Sequence, residues 1–545
     1  MLDSLKCTTI VWRSYDKNPV KMAAEPSVLQ FQHLFLLCAW FDTLGRVYDR
    51  MRCGDLQLYR PPHSERKNLV SKTNLSPGTP ADWLPGPPAR GNLGATWRFT
   101  RFMLQPFPTL QRHLSTYGPV SGLTGAIKPG GQGLILAIGP QYNQQVLSNP
   151  TLFYNMGSSN VPKTSAAWRL AQGVVYLNGE HHRQQRRLIM PSFHKKEIDR
   201  YGEAMVAATE RLLAGWQPGQ PINLIAEMTR LTMNVVLKTL FGLDAEQEGH
   251  ELGLLLEEWL ALSGSLGANL IPAGLPGSPV RRLMRVSEQI EAQTLALLAQ
   301  KKATLAASHD VISTLMQTHD EDGSRLTEAE VIANAVLLFL AGHETSANAL
   351  SWALFLLSQH PDVAQALFAE LDTHLGGAPP RLDQLGDLRL LDGVINEALR
   401  LFPPLAYIMR SAQEPFVMDG YHFAAQSSVM LSHYMTHRLP TIYAEPDRFR
   451  PERWFTLKPS PYEYIPFSGG PRLCIGAQFA MLEMKLALAT IVQRYRLTPP
   501  VNASIKTSIN FLLRVKQMPM IVHAQDGQFP KTPVRGDVLK LVSLP

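Results

Sequence analysis

Cys474 stands at the centre of FSGGPRLCIG, Phe467 to Gly476. Of the four cysteines in the chain the other three, Cys7, Cys38 and Cys53, lie in an N-terminal segment of different character. A body with a single thiol cannot be an internal disulfide scaffold. Gly469, Gly470 and Pro471 let the backbone turn closely around a ligand and aim amide N–H groups at it. The run after Cys474, IGAQFAMLEMKLALATIVQRYRL, reads as a largely apolar helix, so Cys474 falls at a helix N-terminus, where negative charge is stabilised. A helix dipole, amide donors and a metal all favour the thiolate over a thiol whose ordinary pKa is ~8.5. On these residues alone a metal-binding thiolate and an inert buried cysteine both stay open.

Two further groupings could do chemistry. In AVLLFLAGHETSANALSWALFLL, Glu344 and Thr345 put an acid and a hydroxyl together inside an otherwise apolar helix, and Gly342 removes a side chain where something must lie close. A Thr hydroxyl bonded to the preceding turn also bends a helix, and that reading coexists with a chemical one. In NGEHHRQQRRLIMPSF, His182 and Arg186 are four apart and share one helix face. They suit a buried anion or a solvated basic surface.

The spacing Phe467, Gly470, Arg472, Cys474, Gly476 resembles the cysteine-ligand loop of the cytochrome P-450 family, in which the thiolate is the axial ligand of a haem iron. The resemblance implies haem b as cofactor, with Phe467 packed over the thiolate, Arg472 meeting a propionate and Gly476 permitting close approach of the following helix. It places His182, where Trp is commoner, together with Arg186 and Arg410 as further propionate partners; two buried propionates need such cations and donors. Gly342, Glu344 and Thr345 resemble the family's oxygen-activation motif. They imply a helix that opens at Gly342 for oxygen and a proton supply through Glu344 and Thr345. Glu397, Arg400 and Arg453, the last in PERW where Phe is commoner than Trp454, are implied to form a buried network that maintains the fold.

Taken together, the resemblance implies a monooxygenase. It inserts one atom of O2 into an apolar organic substrate, by hydroxylation or epoxidation, while the other leaves as water. A haem-thiolate isomerase or peroxide-driven peroxygenase is the alternative, and such enzymes tend to lack the pair that Glu344 and Thr345 supply. A non-catalytic haem binder or gas sensor, the alternative of another class, needs neither substrate cavity nor proton relay. Electrons from NAD(P)H are expected indirectly, because the chain ends about 70 residues after Cys474 and leaves no room there for a flavin domain.

The expected fold is mainly α: a triangular helical haem domain with small β-sheets, spanning residues 85–545. Thr327 and Glu330 form a capping box that starts a helix, and Pro361 ends it. At 1.5 Å per residue that helix is roughly 50 Å long. A membrane span is disfavoured, since a central Glu costs ~2.5 to 3.5 kcal/mol there. LDGVINEALRLFPP is an amphipathic helix stopped by Pro403 and Pro404, with Glu397 and Arg400 on one face, and VMDGYHF is a hairpin with an Asp-Gly turn. Leu405 to Ile408 and Ser508 to Arg514 resemble substrate-facing strands. Residues 200–320 read as amphipathic helices with a loop from Leu262 to Pro279, a region that covers the substrate entrance in the family.

The whole chain, 545 residues at 45% hydrophobic and 18% charged, has an ordinary globular composition. Its net charge of +7 suits nucleic acid, an anionic membrane or an acidic protein. Arg183, Arg187, Lys195 and Lys196 widen the basic surface around His182 and suggest docking of an acidic ferredoxin or flavodoxin with its reductase; no nucleic acid is expected. Residues 1–80 fall outside the resemblance and read as a disordered or loosely packed extension. Their one apolar run, LFLLCAWF, has eight residues where a bilayer needs roughly 20. The alternative there is a short membrane contact. A cytoplasmic protein without a membrane span is therefore expected.

Overall fold

The computed structural model describes residues 82–545 apart from 89–90, 157–160, 245–248, 264–277, 306–307 and 511. The expected extension at 1–80 and most of the loop from 262 to 279 lie outside the described residues.

The helix Glu328–Gln359 organises the rest. Its capping box is complete: the Glu330 amide donates to Thr327 Oγ1 at 3.3 Å, and the Thr327 amide donates to Glu330 Oε2 at 2.8 Å. It ends at His360, before Pro361, as the sequence predicts. A helix apolar on every side must be covered on every side. This central helix packs against Leu224–Val236, Arg389–Leu401 and Ala477–Arg494. Against Leu224–Val236 the fit is close, since a Cβ at Gly342 would lie 3.2 Å from a Val236 methyl. Beside it, Thr232 Oγ1 donates to the His343 carbonyl at 2.8 Å.

The helix Arg389–Leu401 carries the expected three-residue network. Glu397 and Arg400 are both fully buried. Arg400 donates to both Glu397 oxygens at 2.8 and 2.9 Å, and Arg453 Nε donates to Oε1 at 2.9 Å. Trp454 Nε1 at 3.0 Å and the Arg450 amide at 3.0 Å complete the set. Gly393 lets this helix close on the 3-10 turn Pro451–Phe455: a Cβ there would meet the Pro451 carbonyl at 2.6 Å.

A five-stranded sheet runs in the order Val120–Gly122, Leu134–Ala137, Ser428–Leu431, Ile408–Ala412, Phe153–Asn155. It sets Arg410 between Val429 on one side and Asn155 on the other. The hairpin Phe416–Met418 and Tyr421–Phe423 turns through Asp419 and Gly420, both at positive φ, as an Asp-Gly turn requires. The strand Leu512–Gln517 pairs with Ala503–Asn510, and Leu512 also bridges to Leu405. The two apolar segments expected to face substrate are thus joined, with Phe511 outside the described residues.

Candidate active site

The cysteine loop is shaped by glycine. Gly470 has φ of 63°, and a Cβ there would lie 2.2 Å from the Leu147 carbonyl oxygen, so no other residue fits. The Cys474 amide donates to the Phe467 carbonyl at 2.9 Å and closes the turn. The helix begins at Ala477, so Cys474 precedes the first turn and is reached by one donor, the Gly476 amide. A Cβ at Gly476 would meet nothing nearer than a Phe193 ring carbon at 3.9 Å. Close approach of the following helix, the expected purpose of Gly476, is therefore not what its protein neighbours require.

Cys474 is exposed although protein atoms crowd around it on most sides, the mark of a group that faces an internal cleft. Burial pushes its thiol up, against the pull of the Gly476 amide and the Arg186 charge. The protein alone thus favours the thiol, and a cation at sulfur is what would hold a thiolate.

Three arginines and a histidine gather behind this loop. Arg186, on the helix Gly179–Ile189, donates to the Leu473 carbonyl at 2.8 Å. In return Arg472 donates to the Leu177 carbonyl and to Asn178 Oδ1 at 2.6 and 2.7 Å, just before that helix begins. Arg410 bonds only to its neighbour's carbonyl, Met409, at 2.9 Å among the described residues. Burial holds Arg410 and Arg472 each down to about 10, and the arginine charges add to that effect. His182 is buried and held down to about 4 by desolvation and by Arg472 and Arg186. None of the four has a carboxylate partner among the described residues. Buried cations in this state fit a ligand that brings its own negative charge, as a haem does through two propionates.

Along the central helix, Leu338, Ala341, Gly342 and Thr345 keep accessible surface, as do Leu340 and Glu344. The first four, at a spacing of three, four and seven, share one helix face. The Thr345 hydroxyl donates back to the Ala341 carbonyl at 2.7 Å, the bond that bends helices. The helix nevertheless runs without a break through Gly342, contrary to the expected opening, because the missing side chain accommodates Val236. Glu344 leaves the axis in another direction and pairs with Arg514, whose Nη2 donates to Oε2 at 2.7 Å. Desolvation pushes the Glu344 carboxyl up and Arg514 opposes it.

Sequence reasoning missed three residues. Arg514 lies 170 positions from its partner, and Asn178 joins the arginine cluster only through the fold. Glu483, on the helix after Cys474, is fully buried with neither oxygen hydrogen-bonded and the Ser346 hydroxyl toward it; burial raises it to about 8. In the sequence it is one charged residue in a largely apolar helix, and nothing there marks it as buried. The expected basic surface is more balanced than its sequence suggests. Arg183 pairs with Glu180, Arg187 with Asp320, and Lys195 with Asp199, so four cations meet three carboxylates.

A mainly helical fold built around such a loop is that of the haem-thiolate proteins, and comparison with known sequences agrees. The chain belongs to the cytochrome P450 family, whose model matches residues 89–522. It is 33% identical to cyclooctatin synthase of Streptomyces melanosporofaciens over 74% of this chain and 89% of that protein. It is 30% identical to cyclooctat-9-en-7-ol 5-monooxygenase of the same organism, over 74% and 88%. Pentalenene oxygenase of Streptomyces avermitilis is 29% identical over 76% and 91%. Retinoic acid-bound cyanobacterial CYP120A1 has a similar fold, with a TM-score of 0.65 at 24% identity over 76% of this chain and 93% of that one. The protein is a haem-dependent monooxygenase that acts on O2 and an apolar substrate with electrons from redox partners. Among the described residues no helix is long and apolar enough to cross a membrane.

Proposed function

We propose that this monooxygenase oxidises a terpene-like, largely hydrocarbon substrate of the kind named for its Streptomyces relatives, with haem ligated by Cys474. The observation that carries the haem assignment is the pairing of a cleft-facing thiol with Arg186, Arg410, Arg472 and His182, which find no carboxylate among the described residues. When bound there, haem supplies the oxygen chemistry, and thiolate ligation favours O–O cleavage.

The chain's own residues do the rest. Arg186, Arg410, Arg472 and His182 neutralise and orient the propionates, and Phe467 covers the sulfur. The apolar segments from Leu405 and Leu512 hold the substrate by exclusion of water, so protons must come through placed groups. Thr345 Oγ1 can give up its bond to Ala341 and hold a proton on the open face of the helix, while Glu344 brings protons from outside. Glu397, Arg400 and Arg453 keep the helix behind the site in place. Electrons from NAD(P)H arrive through a separate acidic ferredoxin or flavodoxin and its reductase, docking near Arg183, Arg187, Lys195 and Lys196.

Replacement of the ligand tests this reading. Cys474→Ser keeps the arginines, so it should still take up haem while its reduced carbon monoxide complex loses the red-shifted Soret band. A band that persists in the variant assigns the axial ligand to another residue.

A further inference from the structure

The helix Gly91–Leu104 turns one face into the core and leaves the opposite face uncovered among the described residues. Phe99 and Phe102 are buried, with the Phe102 ring centroid 5.3 Å from that of Tyr407. On the other side Leu93, Trp97, Arg101 and Leu104 follow at steps of four, four and three, so they form one stripe. Leu93, Trp97 and Leu104 are 84%, 61% and 67% exposed, among the most open large apolar side chains of the described residues. Apolar side chains scattered singly over a surface are ordinary, whereas an aligned stripe marks a contact surface.

Its charge is as one-sided as its hydrophobicity. From Trp83 to Gly179 the sequence contains no Asp or Glu, although the chain holds 45 such residues. Arg101 lies over the Trp97 ring, its Cζ 5.5 Å from the centroid, and stays exposed. Arg112, on the following helix Pro106–Tyr117, is exposed as well. The turn that leads to the exposed Lys128 is tied to the stripe's helix, since Arg98 Nη1 donates to the Thr124 carbonyl at 2.9 Å. Among the described residues Arg101, Arg112 and Lys128 form no ion pair, whereas Arg183, Arg187 and Lys195 each do.

Hydrocarbon and positive charge on one exposed helix select a partner that offers hydrocarbon together with negative charge. A nucleic acid or an acidic protein surface answers the arginines and gives no place to Leu93 and Leu104. An anionic lipid surface answers both: leucines enter the acyl boundary, Trp sits at headgroup level and arginines meet phosphates. At 1.5 Å per residue the stripe from Leu93 to Leu104 is roughly 16 Å long, enough to lie along a bilayer and too short to cross one.

We propose that the stripe Leu93, Trp97, Arg101 and Leu104, with Arg112 and Lys128 beside it, docks this protein on an anionic lipid surface. The contact is peripheral and reversible, because its apolar area is small and its charges are screened by salt. It is independent of the substrate proposed above.

Flotation of the haem-loaded full chain with vesicles tests the proposal. The protein should bind vesicles of equal parts phosphatidylglycerol and phosphatidylcholine, bind phosphatidylcholine alone far less, and detach as salt is raised. The double variant Arg101→Gln, Arg112→Gln should bind the anionic vesicles about tenfold or more weakly. The triple variant Leu93→Gln, Trp97→Gln, Leu104→Gln should weaken binding to a similar degree; all five side chains are exposed, and an unchanged haem absorption spectrum shows that each variant is folded. Brominated acyl chains should quench wild-type fluorescence more than that of Trp97→Phe. Absence of binding to the anionic vesicles overturns the proposal. So does binding that survives both sets of substitutions, since another part of the chain, such as the apolar run from Leu34 to Phe41, then carries it. Loss in the arginine variant alone, with the apolar variant unchanged, marks a purely electrostatic face and also overturns the lipid contact. A dimer in lipid-free solution that the apolar variant abolishes would assign the stripe to a second copy of the chain instead.

Discussion

Arg400 and Arg453 share one carboxylate, Glu397, whereas among the described residues Arg410 and Arg472 share none. Both groups are largely desolvated. The first is closed: five donors converge on Glu397, and Arg400 spends its remaining donors on the carbonyls of His437, Pro446 and Arg448. The second is open among the described residues, with Arg472 Nε unpartnered and Arg410 bonded only to its own strand. A closed ionic network consumes its own charge and fixes geometry. An open one stores positive potential for a group the polypeptide does not encode. Burial of an arginine is thus no guide to its purpose until its acceptors are counted.

The strongest way to break this contrast is to open the closed network. Glu397→Ala leaves two buried cations unpaired and should cost about 3–5 kcal/mol, read as a lower denaturation midpoint whether or not haem is bound. The open cluster should respond in the opposite sense. Arg410→Ala removes a buried cation that the apoprotein does not pair, so apoprotein stability should hold or rise. Haem should be lost about 10–100 times faster to an acceptor protein, since a charge-assisted bond contributes about 1.5–3 kcal/mol. Equal destabilisation of apo and loaded forms would erase the distinction between the clusters.

A pH titration sharpens it further. His182 sits at about 4 in the folded protein against 6.5 unfolded, so its neutral form is favoured by folding. That stability is complete above pH 6.5 and is lost as pH falls toward 4, on the order of 1–3 kcal/mol. His113, also near 4, is held by its own burial and the charge of Arg112, away from the arginine cluster. Haem loading should therefore weaken the acid slope due to His182, which His182→Gln removes, and leave that of His113 intact. Identical acid slopes with and without haem would show that no anion reaches His182. The smallest effect concerns the surface. Because three of the four basic residues near His182 are already paired, donor-dependent reduction should weaken only modestly between low salt and physiological ionic strength, where screening acts over ~8 Å.

What could be read from the sequence followed the range of the interaction. The Thr327 capping box, the Asp-Gly hairpin and the Glu397–Arg400 pair are local, three residues or fewer apart, and local spacing is what a sequence displays. Arg453 as a partner of Glu397 was legible through resemblance alone, as was the grouping of Arg186, Arg410 and Arg472 proposed to meet propionates, since nothing near Arg410 announces its neighbours. Arg514 was invisible as a partner of Glu344 because no periodicity connects positions 170 apart. Gly342 was legible as a close approach but not as to what, and Val236 rather than a gap in the helix fills that place. The basic surface was overestimated for the same reason: Asp320, which neutralises Arg187, lies 133 residues away.

The reciprocal bonds of Arg186 to Leu473 and of Arg472 to Leu177 bear on when the site can exist during synthesis. Each joins segments nearly three hundred residues apart, 287 and 295. At about 5–20 residues per second, roughly 15–60 s separate the emergence of the two halves from the ribosome. Throughout that interval the helix Gly179–Ile189 waits without its counterpart, and the proposed ligand Cys474 has yet to be made. The two bonds that lock the arginines to the cysteine loop therefore form late, only after nearly three hundred further residues have been added to the helix that carries Arg186.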